Sequence, residues 1–109
     1  MPARTGQDYL NGLRSQPRDI WMRGEKVTDV TTHPGLANGA RAIASLYDMQ
    51  MDPKFQDAMT FTSPTHGERL GMSFIVPRTS AELEGRRAMM LNWARTTCGM
   101  MGRSPDFMN

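Results

Sequence analysis

The 109-residue sequence has one cysteine. The lone Cys98 excludes an internal disulfide framework and a multi-cysteine metal site within this chain. No apolar run approaches the roughly 20 residues of a membrane helix. The first six residues lack the apolar core of a signal peptide. A reducing, cytoplasmic setting is the expectation. The two histidines, His33 and His66, have no second histidine or carboxylate at metal-ligand helical spacing. There is no phosphate-binding P-loop and no dinucleotide glycine fingerprint. The formal charge is only +2, and no basic stripe runs along a predicted face, so a nucleic-acid partner is not expected.

Two features stand out against these absences. Of thirteen cationic residues only Lys26 and Lys54 are lysines; arginine suits planar recognition of anions, although the coding bias of a GC-rich genome gives the same skew. There are eleven methionines, crowded into the second half. They fill irregular cores, or they face surfaces that other domains or subunits cover.

Local signals give a mainly helical chain with two small hairpins. Thr5 caps a helix to about Arg14, with Asp8 at its positive end. Two β-prone runs in Ile20–Val27 flank the tight turn Arg23-Gly24. Val30 to Pro34 is expected to be an extended link, because a residue before proline avoids the helical region. A helical period runs from about Gly35 to Met51, with Leu36, Ala40, Ile43, Leu46 and Tyr47 on one side. Pro53 can open a short turn. Strands are expected at Met59–Thr62 and Arg69–Phe74 around the turn formers of residues 63–68. Thr79 and Glu82 make a capping box for a helix ending near Cys98 or Gly99. Leu83, Met90, Leu91, Ala94 and Cys98 mark its expected buried side.

The last eight residues read as the opening of a further helix: Ser104 as cap, Pro105 in the first position, Asp106 at the positive end. The helix is expected to continue in a longer protein. Arg103, just before the cap, would aim a guanidinium where N–H groups also converge, which suits an anionic or oxygen-rich ligand. The other candidates are weaker. His33 suits a structural bond that fixes its turn, and His66 a solvated hairpin tip. Cys98 suits a small buried apolar site, and Arg86-Arg87 a solvated face or subunit contact. From the residues alone, this is a helical piece with an arginine-marked anion site.

The order of motifs carries more. Arg4-Thr5-Gly6 with Tyr9, the hairpin Ile20–Val27, the run from Asp29 to Pro34, Tyr47-Asp48, Met59-Thr60-Phe61 and the closing Gly102–Asn109 segment together resemble the oxygenase family of 4-hydroxyphenylacetate 3-monooxygenase. The resemblance covers essentially the whole chain. It implies the incomplete N-terminal helical domain, residues 1–109, of an acyl-CoA-dehydrogenase-like fold whose later β-barrel and helical bundle lie outside this sequence. It further implies a cytoplasmic homotetramer that takes reduced FAD from a separate reductase and uses molecular oxygen to hydroxylate a phenol ortho to its hydroxyl. Arg103 inherits a place in the flavin–substrate cleft. Phe107 stands at a position where the family carries tyrosine or phenylalanine, and members with the tyrosine use its hydroxyl at the substrate, so the identity of the phenol is open. Two other readings remain: a truncated, non-catalytic assembly piece, and a relative of the iron–sulfur dehydratases of 4-hydroxybutyryl-CoA. The latter carry paired cysteines near this region, and Cys98 has no mate.

Overall fold

The computed structural model describes residues 2–99. The chain divides into two compact units. One is Arg4–Asp48; the other holds residues 2–3 and 49–99.

In the first unit, helix α1 spans Gly6–Ser15. Its cap is a reciprocal box: the Thr5 hydroxyl accepts from Asp8 N at 3.0 Å, and Asp8 Oδ2 accepts from Thr5 N at 3.0 Å. Aspartate here takes the place of the more usual glutamate. Pro17 follows the C-terminal cap Gln16. Strands β1 (Ile20–Met22) and β2 (Glu25–Val27) pair antiparallel, Ile20 opposite Val27. Their two-residue turn has φ of 53° at Arg23 and 82° at Gly24, the sign pattern that matches strand twist in tight hairpins. Helix α2 spans Ala37–Asp48. The small residues Ala37, Ala40 and Ala44 are buried along it, together with Leu46.

Two expectations fail here. Residues 30–36 form successive turns rather than an extended link. The Asp29 carboxylate accepts from Thr31 N at 2.8 Å and Thr31 Oγ1 at 2.7 Å, and Asp29 O accepts from His33 N at 3.0 Å. These local bonds fold the residues after Asp29 into a turn, whereas Pro34 constrains only the residue before it, His33. Helix α2 also begins later and ends earlier than its apolar period. Met49 and Gln50 leave it to become buried in the second unit.

In the second unit, Asp52 opens a turn by accepting from Lys54 N at its carboxylate and from Phe55 N at its carbonyl. Helix α3 (Gln56–Met59) leads directly into β3 (Thr60–Thr62). Strand β4 (Arg69–Gly71) pairs with β3, Phe61 opposite Leu70. The loop between them closes through Ser63, whose N–H donates to Glu68 O at 2.8 Å. The pattern predicts a second strand reaching Phe74, but the chain turns into a 3-10 turn at Met72–Phe74. Gly71 is the pivot. A Cβ there would lie 2.9 Å from Gln50 Nε2, so the chain comes closer to Gln50 than a side chain permits. It then buries Met72 and Ser73.

Helix α4 (Ser80–Thr96) carries the expected capping box, with Glu82 N donating to Thr79 Oγ1 at 3.2 Å and Thr79 N donating to Glu82 Oε2 at 3.1 Å. Such a cap stabilises a helix by about 1 kcal/mol. The helix ends with Gly99 at φ 84° donating its N–H to Ala94 O at 2.7 Å, the closure expected of a C-terminal glycine. Its buried side is not the expected one. Met89 and Trp93 are buried, one turn apart, with Gly85 a further turn back beside the Met72 side chain. Leu83 and Leu91 are exposed, and so is Cys98. Apolar residues surround α4, so periodicity alone does not choose a face. Met49, Met59, Met72 and Met89 are all buried. For these four, core filling is the role.

Candidate functional site

The motif residues near the N-terminus converge in the first unit. Gly6 N donates to Asp48 Oδ1 at 2.7 Å, satisfying one of the free N–H groups of the α1 start with the last residue of α2. A Cβ on Gly6 would meet the Ala44 carbonyl oxygen and lie 2.6 Å from Asp48 Oδ2. Tyr9 stacks on Tyr47 with ring centroids 5.1 Å apart at 25°. Arg4 lies over the Tyr47 ring at 5.2 Å and donates to its hydroxyl at 3.3 Å. Burial raises the Tyr9 phenol above its ordinary pKa of 10.0, so it stays neutral at physiological pH. The constellation is a clamp that fixes α1 on α2, with no group poised for acid–base work. Tyr47-Asp48 stands in family order in the sequence, but its meeting with Gly6 is not foreseen there; the available signal is a glycine at a helix start among motif residues.

The Asp29–Pro34 run is a second built turn. The Nδ1 atom of His33 accepts from Gly35 N at 3.1 Å, so the ring fixes the turn as expected. Arg14 Nε donates to Thr31 Oγ1 at 3.0 Å, which ties α1 to the turn. The Thr31 hydroxyl and N–H hold the Asp29 carboxyl below its ordinary 3.8. A carboxylate whose folded pKa is lowered adds stability that is fully present above its unfolded value and fades as pH falls through the folded one. Asp29→Asn is therefore expected to destabilise at about pH 6 and to lose that difference near about pH 2.5. Urea unfolding of both proteins at the two pH values checks it, and an equal difference at both contradicts it.

The remaining candidates separate. His66 sits on the β3–β4 loop, where its N–H donates to Ser63 Oγ at 3.4 Å. Arg87 makes an exposed pair with Glu84 at 3.3 Å, a solvated contact worth little. Among the described residues no three His, Cys, Asp or Glu side chains gather as a metal site, and no helix is long and apolar enough to cross a membrane. Arg103, Phe107 and the helix expected from Ser104 lie outside the described residues. The described residues do hold an open groove of about 800 Å³ in the second unit. Phe61, Leu70, Phe74 and Val76 supply apolar wall, and His66 and Arg78 stand among its polar groups.

The chain is similar to part of a larger oxygenase. The crystal structure of the oxygenase component of 4-hydroxyphenylacetate 3-monooxygenase matches 97% of this chain at TM-score 0.89 and 43% identity, over 22% of its own length. The same component complexed with FAD and 4-hydroxyphenylacetate matches 93% of the chain at TM-score 0.86 and 42% identity, over 21% of its length.

The chain belongs to the family described as 4-hydroxyphenylacetate 3-hydroxylase N terminal, which matches residues 5–109. The 4-hydroxyphenylacetate 3-monooxygenase oxygenase component of Thermus thermophilus is 44% identical over 98% of this chain and 22% of its own length. The oxygenase component of a 4-nitrophenol 4-monooxygenase/4-nitrocatechol 2-monooxygenase from Rhodococcus opacus is 44% identical over 84% of this chain and 17% of its length. The chain thus spans about a fifth of the length of these relatives.

Proposed function

We propose that this chain is the N-terminal domain of the oxygenase component of a two-component monooxygenase. The whole protein takes reduced FAD from a separate NAD(P)H-dependent reductase, hydroxylates a phenol ortho to its hydroxyl, and works as a cytoplasmic homotetramer of acyl-CoA-dehydrogenase-like fold. The supporting observation is family membership from residue 5 to residue 109, together with the likeness to an oxygenase complexed with FAD and a phenol.

The donor chemistry of this sequence fits that group. Arg103 offers a planar fork of N–H donors, always charged, to carbonyl or phenolate oxygens. When bound, reduced FAD supplies the electrons that activate molecular oxygen. Arg103 would hold the ring edge or the phenolate in place and stabilise the negative charge that develops as oxygen is transferred. Phe107 would offer an apolar side chain that helps keep water out, but it has no hydroxyl to meet the substrate. The phenol is therefore one other than 4-hydroxyphenylacetate, or one held by different donors. A relative named for 4-nitrophenol fits that latitude.

The test is product formation. The full-length oxygenase, supplied with a flavin reductase, NADH and FAD, is offered a panel of para-substituted phenols. We expect a catechol from at least one of them, requiring both reductase and flavin. No catechol from any phenol while reduced FAD is present would refute the proposal.

A further inference from the structure

We propose that the groove at the β3–β4 hairpin is the docking seat for a later segment of the oxygenase's own chain. This rests on the reading that the domain belongs to a longer oxygenase. Three observations point to a polypeptide occupant. Phe74, the last residue of the 3-10 turn, and Val76, which follows the extended Ile75, are 57% and 75% exposed. They share the groove with Phe61 and Leu70, which makes a contiguous apolar wall of the kind that marks an interaction surface.

Next, the Val76 backbone N–H has no partner among the described residues, whereas its neighbours do: Ile75 N donates to Met72 O and Arg78 N to Glu82 Oε2. An extended segment laid alongside could pair with it. Lastly, the Arg78 guanidinium on the same groove has no ion pair among the described residues, so a carboxylate on the occupant is favoured. Length identifies the source. About four-fifths of such a relative lies outside the matched stretch, so the longer chain itself has ample length to supply the occupant. The occupant is an extended stretch with alternate apolar side chains and an acidic residue for Arg78.

The experiment uses the full-length oxygenase carrying Val76→Cys, with maleimide labelling at residue 76 read by peptide mass mapping. We expect labelling at least ~100-fold slower in the native protein than in the urea-unfolded chain, because reaction then requires local opening. We also expect that slowing to survive dilution to monomers and removal of flavin and phenol. Labelling as fast as in the unfolded chain overturns the proposal. Protection lost on dilution overturns it in favour of a second copy, and protection that needs flavin or phenol overturns it in favour of a small ligand. Adding Arg78→Glu to the Val76→Cys protein should speed labelling at position 76 in the native state by repelling the expected carboxylate; an unchanged rate counts against that contact. Catechol formation by the unmutated oxygenase is scored separately, so the docking seat and the catalytic reading fail independently.

Discussion

Replacing Arg103 with alanine is expected to lower phenol hydroxylation by the full-length oxygenase about 100-fold, the typical loss when one positioned donor to a developing negative charge is removed. On the proposed function reduced flavin should still be oxidised by oxygen, so the lost product is expected to reappear as hydrogen peroxide. The physical reason is competition. Transfer to the phenol needs charge stabilisation and a dry cleft, whereas release of peroxide to water needs neither. Arg103→Lys keeps the charge but loses the planar fork, so it should fall between wild type and alanine. Parallel measurement of catechol and peroxide per NADH consumed checks this. Normal coupling in Arg103→Ala removes the residue from the cleft.

Gly6→Ala is expected to destabilise the domain by about 1–3 kcal/mol, the range for forcing a methyl into a packed contact. The added Cβ would collide with the Ala44 carbonyl and crowd Asp48 Oδ2 at 2.6 Å. Neither has room to yield: Ala44 O is helix backbone, and Asp48 is already held by Gly6 N. Substituting a glycine of the same helix with open space around it gives the control. Gly12 has nothing within 4 Å of an added Cβ, so Gly12→Ala should be neutral or stabilising, since alanine is favoured over glycine inside helices. Urea unfolding of the full-length oxygenase distinguishes the pair. Equal effects would show that the Arg4–Tyr47 cluster does not depend on close approach at Gly6.

The contrast between these two glycines marks what is legible in the sequence. Signals confined to a few neighbouring residues read correctly. The Thr5 and Thr79 caps, the Arg23-Gly24 turn, the His33 ring on its own backbone and the Gly99 stop all act over short stretches of chain. Failures arise where distant packing or competing local bonds decide. On α4, leucines and methionines point several ways, and contact with the methionine core selects Met89 and Trp93 over Leu83 and Leu91. In the 30–36 stretch, the proline rule reaches only His33, and the Asp29 carboxylate decides the turn before it. The end of β4 depends on Gln50 beside Gly71, a residue remote along the chain that no local pattern reports. The clamp is half visible: its residues are recognisable as motif, but their joint purpose requires two helices to meet. Arg103 and Phe107 rest on resemblance and on the chemistry of their own side chains.

The decisive measurement is the origin of the new oxygen atom. Full-length oxygenase, chemically reduced FAD and a phenol that yields catechol are mixed with ¹⁸O₂ in ordinary water, and the product is read by mass spectrometry. Hydroxylation by oxygen activated on reduced flavin predicts one ¹⁸O atom in the catechol and none when FAD is left out. Unlabelled catechol, or labelled catechol formed without FAD, would contradict the assignment of this chain to a reduced-flavin oxygenase.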